Sequence, residues 1–572
     1  MLQEDIIQNN FSGRNMLIKD KKLLRKIFIL LSVAATFLRI FLCKGLMVYF
    51  IPGTQYDDIM QISKAFSIIE GNWLGEYGSM TLVKGVGYPL LVAIFHFLHI
   101  PYIQGFHLIY IIGCIVFAWA IYPLIKNDCL CFLAYMFVLF NPIAFSNVLT
   151  KYYRDIAYYA LCMVFISATV GLLIRQKGKA FAVISGIALA WCILCREDGQ
   201  WLYIYIASCI AVPFIYRSIA DKKLHKGFIK EIRLIVISYA VIVLCICSIN
   251  YKYYGTFVLD EYNSGAYADA YGAISRLHGE RGNTQVVIPY SEREKLYEYS
   301  PSFARLKPYL DGDNPKFEPW KIYNDDYRTG YFSFNLRDAK QDLGYYRDAA
   351  STNQYLRQLA EEVNQYCDIH AENVYRKRST IVSRFYPEHI PHILNSTLEG
   401  IKQTVIYTGV SCIPLQCEED DLYLKRFEEI TDSVIAGNRY METGEIIENY
   451  HLTGFSRWMQ RIMRVLIIVY RIATPVLFSV SLIYFIYQTF ILIKKYSDIL
   501  FVQWISAASL LALFLLRTFM IGYVDATSYS AISNPAYQAG SYVVMGCFIS
   551  LQCAVFIYEI TSKVLISKDR IK

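Results

Sequence analysis

Two adjacent carboxylates, Asp57 and Asp58, stand just beyond the first apolar run of the chain, and a lysine, Lys84, follows before Gly-Val-Gly-Tyr88-Pro89. Adjacent carboxylates repel one another, which raises one pKa and suits that group to take a proton as a general base. A nearby Arg or Lys opposes the shift. The pair can also hold a divalent metal if a diphosphate supplies further oxygens, although nucleotide-sugar chemistry of that kind is expected in the cytosol. A plainer role is open as well. Asp58 precedes IMQISKAFSII, whose Ile59, Ile62, Phe66 and Ile69 share one helical face, and it can cap that helix.

Cations gather at a similar depth. Arg39 lies thirteen residues beyond Lys26, about 20 Å along a helix, with Lys44 higher. Arg154 has Lys151 and Asp155 beside it, Arg196 is followed by Glu197 and Asp198, and Arg517 is near the end of a late apolar run. Each can snorkel or pair with a neighbouring carboxylate. As a set they point to a shared anion, and a phosphate held by Arg and Lys just outside the hydrocarbon is the natural candidate. A polyprenyl phosphate puts an anion at that depth.

The elements that must position these groups are membrane spans. The chain has 572 residues, 55% hydrophobic and only 18% charged, against about 25% charged in an average soluble domain. A spanning helix needs about 20 mostly apolar residues. The runs 26–48, 104–125, 129–149, 155–174, 179–195, 201–219, 233–250, 464–493, 499–521 and 538–560 qualify, which predicts about ten spans. The run 86–99 contains His96 and is too short, so a re-entrant or interfacial helix is expected there. The formal charge of +8 reflects Lys and Arg that punctuate apolar runs, which reads as topology rather than nucleic-acid binding. Met1–Lys26 is basic, as are RQKGK, DKKLHKGFIKEIR, KKYSD and the tail SKVLISKDRIK. Positive-inside alternation predicts cytoplasmic termini and puts 49–103, 150–154, 196–200, 251–463 and 522–537 outside. The first run is too long for a cleavable signal and reads as an uncleaved anchor.

The segment 251–463 reads as a mainly helical domain inserted between the seventh and eighth spans. In STNQYLRQLAEEVNQYC, Ser351 or Thr352 can cap a helix whose Tyr355, Leu356, Leu359 and Val363 fall at helical spacing. Asp421–Met441 reads similarly, and 300–330 reads as loop. Asn395-Ser-Thr matches a glycosylation sequon by chance. Most of the fifteen cysteines sit in apolar runs as small fillers. A Cys412–Cys417 bridge can form, and no zinc site is expected.

A first loop with an acidic pair, a short helix, Gly-x-Trp and then Lys-x-x-x-Tyr-Pro resembles the C-fold glycosyltransferases, and among them the protein O-mannosyltransferases and the lipid A aminoarabinose transferases. The matching residues are Tyr56-Asp57-Asp58, Gly71-Asn72-Trp73 and Lys84-Gly-Val-Gly-Tyr88-Pro89, with Asn141-Pro142, Lys151-Tyr-Tyr-Arg154-Asp155 and Cys195-Arg196-Glu197-Asp198-Gly199 farther on. The resemblance covers roughly residues 20–250. It departs at Asp-Asp, where Asp-Glu is common. It departs again at the insert, whose segments YSPSFARLKPYLDG and FNLRDAKQDLGYY most resemble uncharacterised bacterial multi-span proteins. It implies an all-α polytopic membrane protein that takes a sugar from a polyprenyl-phosphate carrier and passes it, with inversion, to an acceptor hydroxyl on a protein, lipid or glycan outside the cell membrane. Asp57 is then the base, Asp58 orients the acceptor or Lys84, and Lys84, Arg154, Arg196 and Tyr88 hold the lipid phosphate. No cofactor is required, though a divalent metal remains open. The expected layout is a cytoplasmic segment 1–25, a transmembrane module 26–250 with its catalytic loop at 49–103, the domain 251–463, terminal helices 464–560 and a cytoplasmic tail 561–572. A surface polysaccharide polymerase or ligase would share the cationic rim but not the acidic loop. A lipid-linked substrate transporter would carry broken or charged spans near the midplane, and a binding or assembly protein would act through 251–463.

Overall fold

The computed structural model describes residues 2–49, 55–175, 178–220, 227–262, 264–277, 285–312, 321, 326–370, 374–413, 417–433, 435, 437–440, 446–449 and 454–569. Helix α1 (Leu2–Cys43) carries the polar N-terminal segment straight into the first apolar run. A π-helical turn at Gln55–Ile59 leads into α2 (Met60–Ile69), and α3 (Gly87–Phe97) follows. Then come α4 (Tyr102–Ile125), α5 (Asp128–Leu139), the single turn α6 (Asn147–Thr150), α7 (Asp155–Ile174), α8 (Lys179–Cys195), α9 (Trp201–Ala220) and α10 (Gly227–Tyr254). The insert holds α11 (Gly265–Ile274), α12 (Tyr290–Tyr299), the turns α13 (Pro301–Ala304) and α14 (Lys307–Leu310), α15 (Thr329–Asp342), α16 (Ala349–Ile369), α17 (Ile390–Ile406) and α18 (Asp421–Thr431). The long helices α19 (Gly454–Lys494), α20 (Asp498–Thr527) and α21 (Ala539–Asp569) complete the order.

The protein is a polytopic membrane protein built almost entirely of helices. Among the described residues eight helices are long and apolar enough to cross a membrane: α1, α4, α5, α7, α10, α19, α20 and α21. The two remaining runs are also helical, as the 17-residue α8 and the 20-residue α9. Backbone polar groups have no water to bond in hydrocarbon, so an apolar run of this length closes its hydrogen bonds internally. Helix α7 lies at the centre, enclosed by α4, α8 and α21. Its small and aromatic side chains are buried almost throughout. Helices α1, α10 and α19 instead turn Phe37, Ile237, Ile472 and Ile483 outward, as lipid-facing surfaces do. The predicted short helix is α3, buried against α2 and α8.

The insert divides between two cores. Helices α11, α15 and α16 pack Tyr267, Tyr271, Leu336, Leu359, Val363 and Cys367 into a core of their own. Helix α17 packs along α20 and also meets α19 and α21. Gly522 makes that approach close: a Cβ there would stand 2.9 Å from Thr397 N and 3.0 Å from Ile393 O. Tyr407, Val410, Leu424, Phe427 and Ile435 then join the core of the spanning helices.

Local expectations are corrected in four places. The cap of α16 is Asp348, which accepts from Ser351 N at 2.8 Å, rather than Ser351 or Thr352. The helix expected over 421–441 stops at Thr431, and residues 437–440 form strand β2, parallel to β1 (Cys417–Asp420) and antiparallel to β3 (Ile446–Asn449). Asp432, with φ of 47° in the left-handed region, ends the helix, and β1 and β3 supply the backbone partners of β2. The 300–330 region, expected as loop, begins with the turns α13 and α14, each with Pro in its first turn, while 313–320 and 322–325 lie outside the described residues. Cys412 is a free thiol bonded to Gln460 O, so it forms no bridge to Cys417.

Candidate active site

Two backbone contacts bring the reactive segments together. The strand-like stretch after α1 pairs in parallel with the stretch before α7: Tyr49 N donates to Thr150 O and Tyr152 N to Tyr49 O. The π-helical turn that follows therefore faces Lys151, Tyr153 and Arg154. From the other side, Gly85 and Gly87 lie flat on the last turn of α8. A Cβ on Gly85 would fall 2.1 Å from Leu194 O, and one on Gly87 would fall 2.8 Å from Leu194 C. Only glycine lets the Lys84 segment reach the Arg196–Asp198 corner so closely.

The tight turn sends the paired aspartates in opposite directions. Asp57 faces a cavity with its side chain 39% exposed, and Lys84 Nζ sits 2.7 Å from its Oδ1. Tyr153 donates to the same oxygen at 2.8 Å, and Lys84 donates to Tyr153 at 3.0 Å. Asp58 is buried beneath and pairs with Lys151 at 2.8 Å. The residue at the N-cap position of α2 is Ile59. Burial pushes the Asp57 carboxyl up, but Lys84, Lys151 and the bonds from Lys84 and Tyr153 outweigh that and hold it well below the usual carboxylate range. Repulsion within the pair is thus overcome by a cation for each member.

The remaining cations are also matched. Arg154 grips Glu197 with bonds of 2.8 and 2.5 Å. Arg196 pairs with Asp155 and, through Nε at 2.8 Å, with Asp198. Arg517 reaches Asp198 at 2.9 Å. Burial raises the Glu197 and Asp198 carboxyls, but the guanidinium groups beside them prevail and hold both below their ordinary values. Pairing with neighbouring carboxylates, the simpler of the two readings of the cationic set, is what the side chains do. Arg39 and Lys44 stand apart from it. Arg39 is buried on His107 and the rings of Tyr110 and Phe145, and Lys44 is exposed.

One peptide link is held from both ends. Lys64 Nζ donates to Lys84 O at 3.0 Å, and Gly85 N donates to Glu197 Oε1 at 2.9 Å. Burial pushes the Lys64 ammonium down to about 7.

The cavity measures about 480 Å³ and has three kinds of wall. Asp57, Lys84, Arg154, Arg196, Glu197 and Asp198 form a charged floor, with the neutral Tyr153 among them. Tyr262, Tyr331 and Phe334 of the insert and Tyr529 and Tyr537 after α20 add aromatic rings. Ile381, Val382, Phe519, Met520 and Val524 make an apolar flank. Four of the expected site residues, Asp57, Lys84, Arg154 and Arg196, therefore meet in one space. Asp58 lies under it. Tyr88 does not reach it: its hydroxyl bonds Tyr102 at 2.8 Å and its ring stacks on Phe106. Tyr153, Glu197 and Asp198 were not singled out for the site, although their place beside Arg154 and Arg196 is a usable signal. Nothing in the sequence brings Tyr262, Phe334, Tyr529 or Tyr537 to the same place. Among the described residues no group of His, Cys, Asp and Glu is arranged to hold a metal ion.

No protein-family model matches the chain, and no curated protein does. Among solved structures it is similar to ArnT from Cupriavidus metallidurans in the apo state, at 10% identity and a TM-score of 0.29, over 92% of this chain and 78% of that one.

Proposed function

We propose that the chain is a membrane glycosyltransferase of the C-fold type, which moves a sugar from a polyprenyl-phosphate carrier to an acceptor hydroxyl. The supporting observation is the cavity's polarity: an aspartate bound to a lysine on a charged floor, beside an apolar flank from α20. An amphiphile with a phosphate head and an apolar tail matches both surfaces at once. The sequence resemblance over residues 20–250 supports the same reading.

In this mechanism Asp57 takes the proton of the acceptor hydroxyl while its oxygen bonds to the anomeric carbon. The bond from that carbon to the phosphate oxygen breaks, and its electron pair leaves on the polyprenyl phosphate. Lys84 and Arg154 meet the phosphate, and Arg196 adds positive charge to the wall while bracing Asp155 and Asp198. One displacement inverts the anomeric centre. The pairing with Lys84 keeps Asp57 ionised at neutral pH but weakens it as a base, and a donor phosphate that draws Lys84 away would raise its basicity.

The basic loops favour cytoplasmic termini, with the cavity and 251–463 on the opposite side of the membrane. There the acceptor would be a protein, lipid or glycan. The test is sugar release by the purified protein from a panel of polyprenyl-phosphate sugars, wild type against Asp57→Asn. Release by wild type alone supports the reading. Release by both forms, or by neither across the panel, removes it.

A further inference from the structure

Three cations surround one phenol ring. Lys151 Nζ, Arg154 Cζ and Lys84 Nζ lie 4.9, 5.3 and 5.4 Å from the centroid of Tyr153. Cations at such distances are drawn to an aromatic face, so the ring has little freedom to turn. The backbone on its N-terminal side is anchored through the Tyr152–Tyr49 bond, and α7 begins directly after Arg154. The side chain is 7% exposed, and its hydroxyl is aimed at a single carboxylate oxygen, Asp57 Oδ1.

That oxygen also receives Lys84. Both donors thus act on Oδ1, and among the described residues Oδ2 receives neither of them. A carboxylate fixed by one oxygen presents the other as a proton acceptor in a defined direction. The two donors differ in what can remove them. A phosphate in the cavity competes with Asp57 for the Lys84 ammonium, because charge-assisted bonds to phosphate and carboxylate are of similar strength. The neutral phenol is a weaker draw for phosphate than the ammonium, whose own charge adds to the bond. Burial pushes its pKa well above the ordinary value, so it keeps its proton and remains a donor.

We infer that Tyr153 is a positioning residue for proton transfer, holding Asp57 by Oδ1 so that Oδ2 stays directed at the acceptor when the donor phosphate engages Lys84. The inference rests on the transfer reaction proposed above. It assigns the phenol a role in the chemical step and none in donor affinity.

The test is Tyr153→Phe in the full-length purified protein, with a polyprenyl-phosphate sugar that wild type turns over. The substitution removes one oxygen and leaves the ring among its cations. Loss of a hydrogen bond to a charged group predicts a fall in kcat of about tenfold or more, with the KM for the donor within about twofold of wild type. The acid limb of kcat moves to higher pH, because the ionised carboxylate has lost a partner. Wild-type kcat in the variant overturns the inference, and so does a change confined to KM. If the variant does not fold, 3-fluorotyrosine at position 153 keeps the ring and strengthens the donor, and the acid limb must then move to lower pH; an unmoved limb overturns the inference. No turnover by wild type on any donor overturns the underlying reaction instead.

Discussion

Arg517 and Asp198 are 319 residues apart in sequence and 2.9 Å apart in space. Arg517 is 1% exposed, and its other terminal nitrogen donates to Tyr537 O at 3.0 Å. One guanidinium thus ties the acid beside Arg196 to a loop that lines the cavity. Breaking a fully buried pair costs about 3–5 kcal/mol, and Asp198 is partly exposed, so the lower end applies. Arg517→Met is expected to lower the melting temperature in detergent by several degrees and to slow sugar release. Thermal unfolding and turnover check this, and wild-type values in both contradict it.

The two aspartates should fail differently. Asp57→Asn removes the proposed base at a half-open position, so the protein folds and kcat drops by about 10²–10⁴-fold. Asp58→Asn leaves Lys151 without its carboxylate in a buried place, at a cost on the order of 3 kcal/mol. Its folded fraction keeps most of its turnover. Activity per folded molecule, read beside the melting curve, separates the two.

Gly85→Ala puts a methyl group 2.1 Å from Leu194 O. The backbone must shift, and overpacking of this kind costs about 1–3 kcal/mol. Lys84 moves with it, so its contact to Asp57 lengthens. The expected outcome is a folded but less stable protein with raised donor KM. An unchanged KM together with an unchanged melting temperature would show that the two segments are not coupled.

Lys64 gives stability a pH dependence. Its ordinary value is 10.5, and burial lowers it to about 7 in the folded chain. Between those values the unfolded chain binds a proton that the folded chain does not, so stability rises with pH across that window. Below about pH 7 the folded chain is also protonated, and the destabilisation is complete. Lys64→Met abolishes this dependence. The melting temperatures of the two proteins should converge as pH rises from 7 toward 10, and parallel curves would contradict the assignment.

The spans were legible because hydrocarbon forces a run of about 20 apolar residues, and no other element writes so plainly. Asp57, Lys84, Arg154 and Arg196 were legible because charged residues at the edges of such runs are costly unless they have a use. Helix α17 was not legible. Ile390–Ile406 mixes Asn395, Glu399 and Lys402 with its apolar residues, and its close approach to α20 depends on Gly400 together with Gly522, far along the chain. Asp58 and Tyr88 do not line the cavity. Asp58 was expected to orient the acceptor or Lys84 and Tyr88 to hold the phosphate, but the π-helical turn parts Asp57 from Asp58, and α3 turns Tyr88 into the packing around Phe106. The aromatic walls depend on contacts between residues hundreds of positions apart, which one sequence does not record.

The lateness of α20 has a consequence for how the protein is made. A growing chain that has delivered Asp57, Lys84 and Arg196 to the membrane still lacks Phe519, Val524, Tyr529 and Tyr537, which enclose the cavity. Until the last hairpin inserts, Asp198 has no Arg517, and α17 has no groove in which to lie. The charged residues of the cavity are translated first, the insert's wall next and the α20 flank last. A chain released before Arg517 would lack Phe519, Val524, Tyr529 and Tyr537 and with them part of the cavity wall.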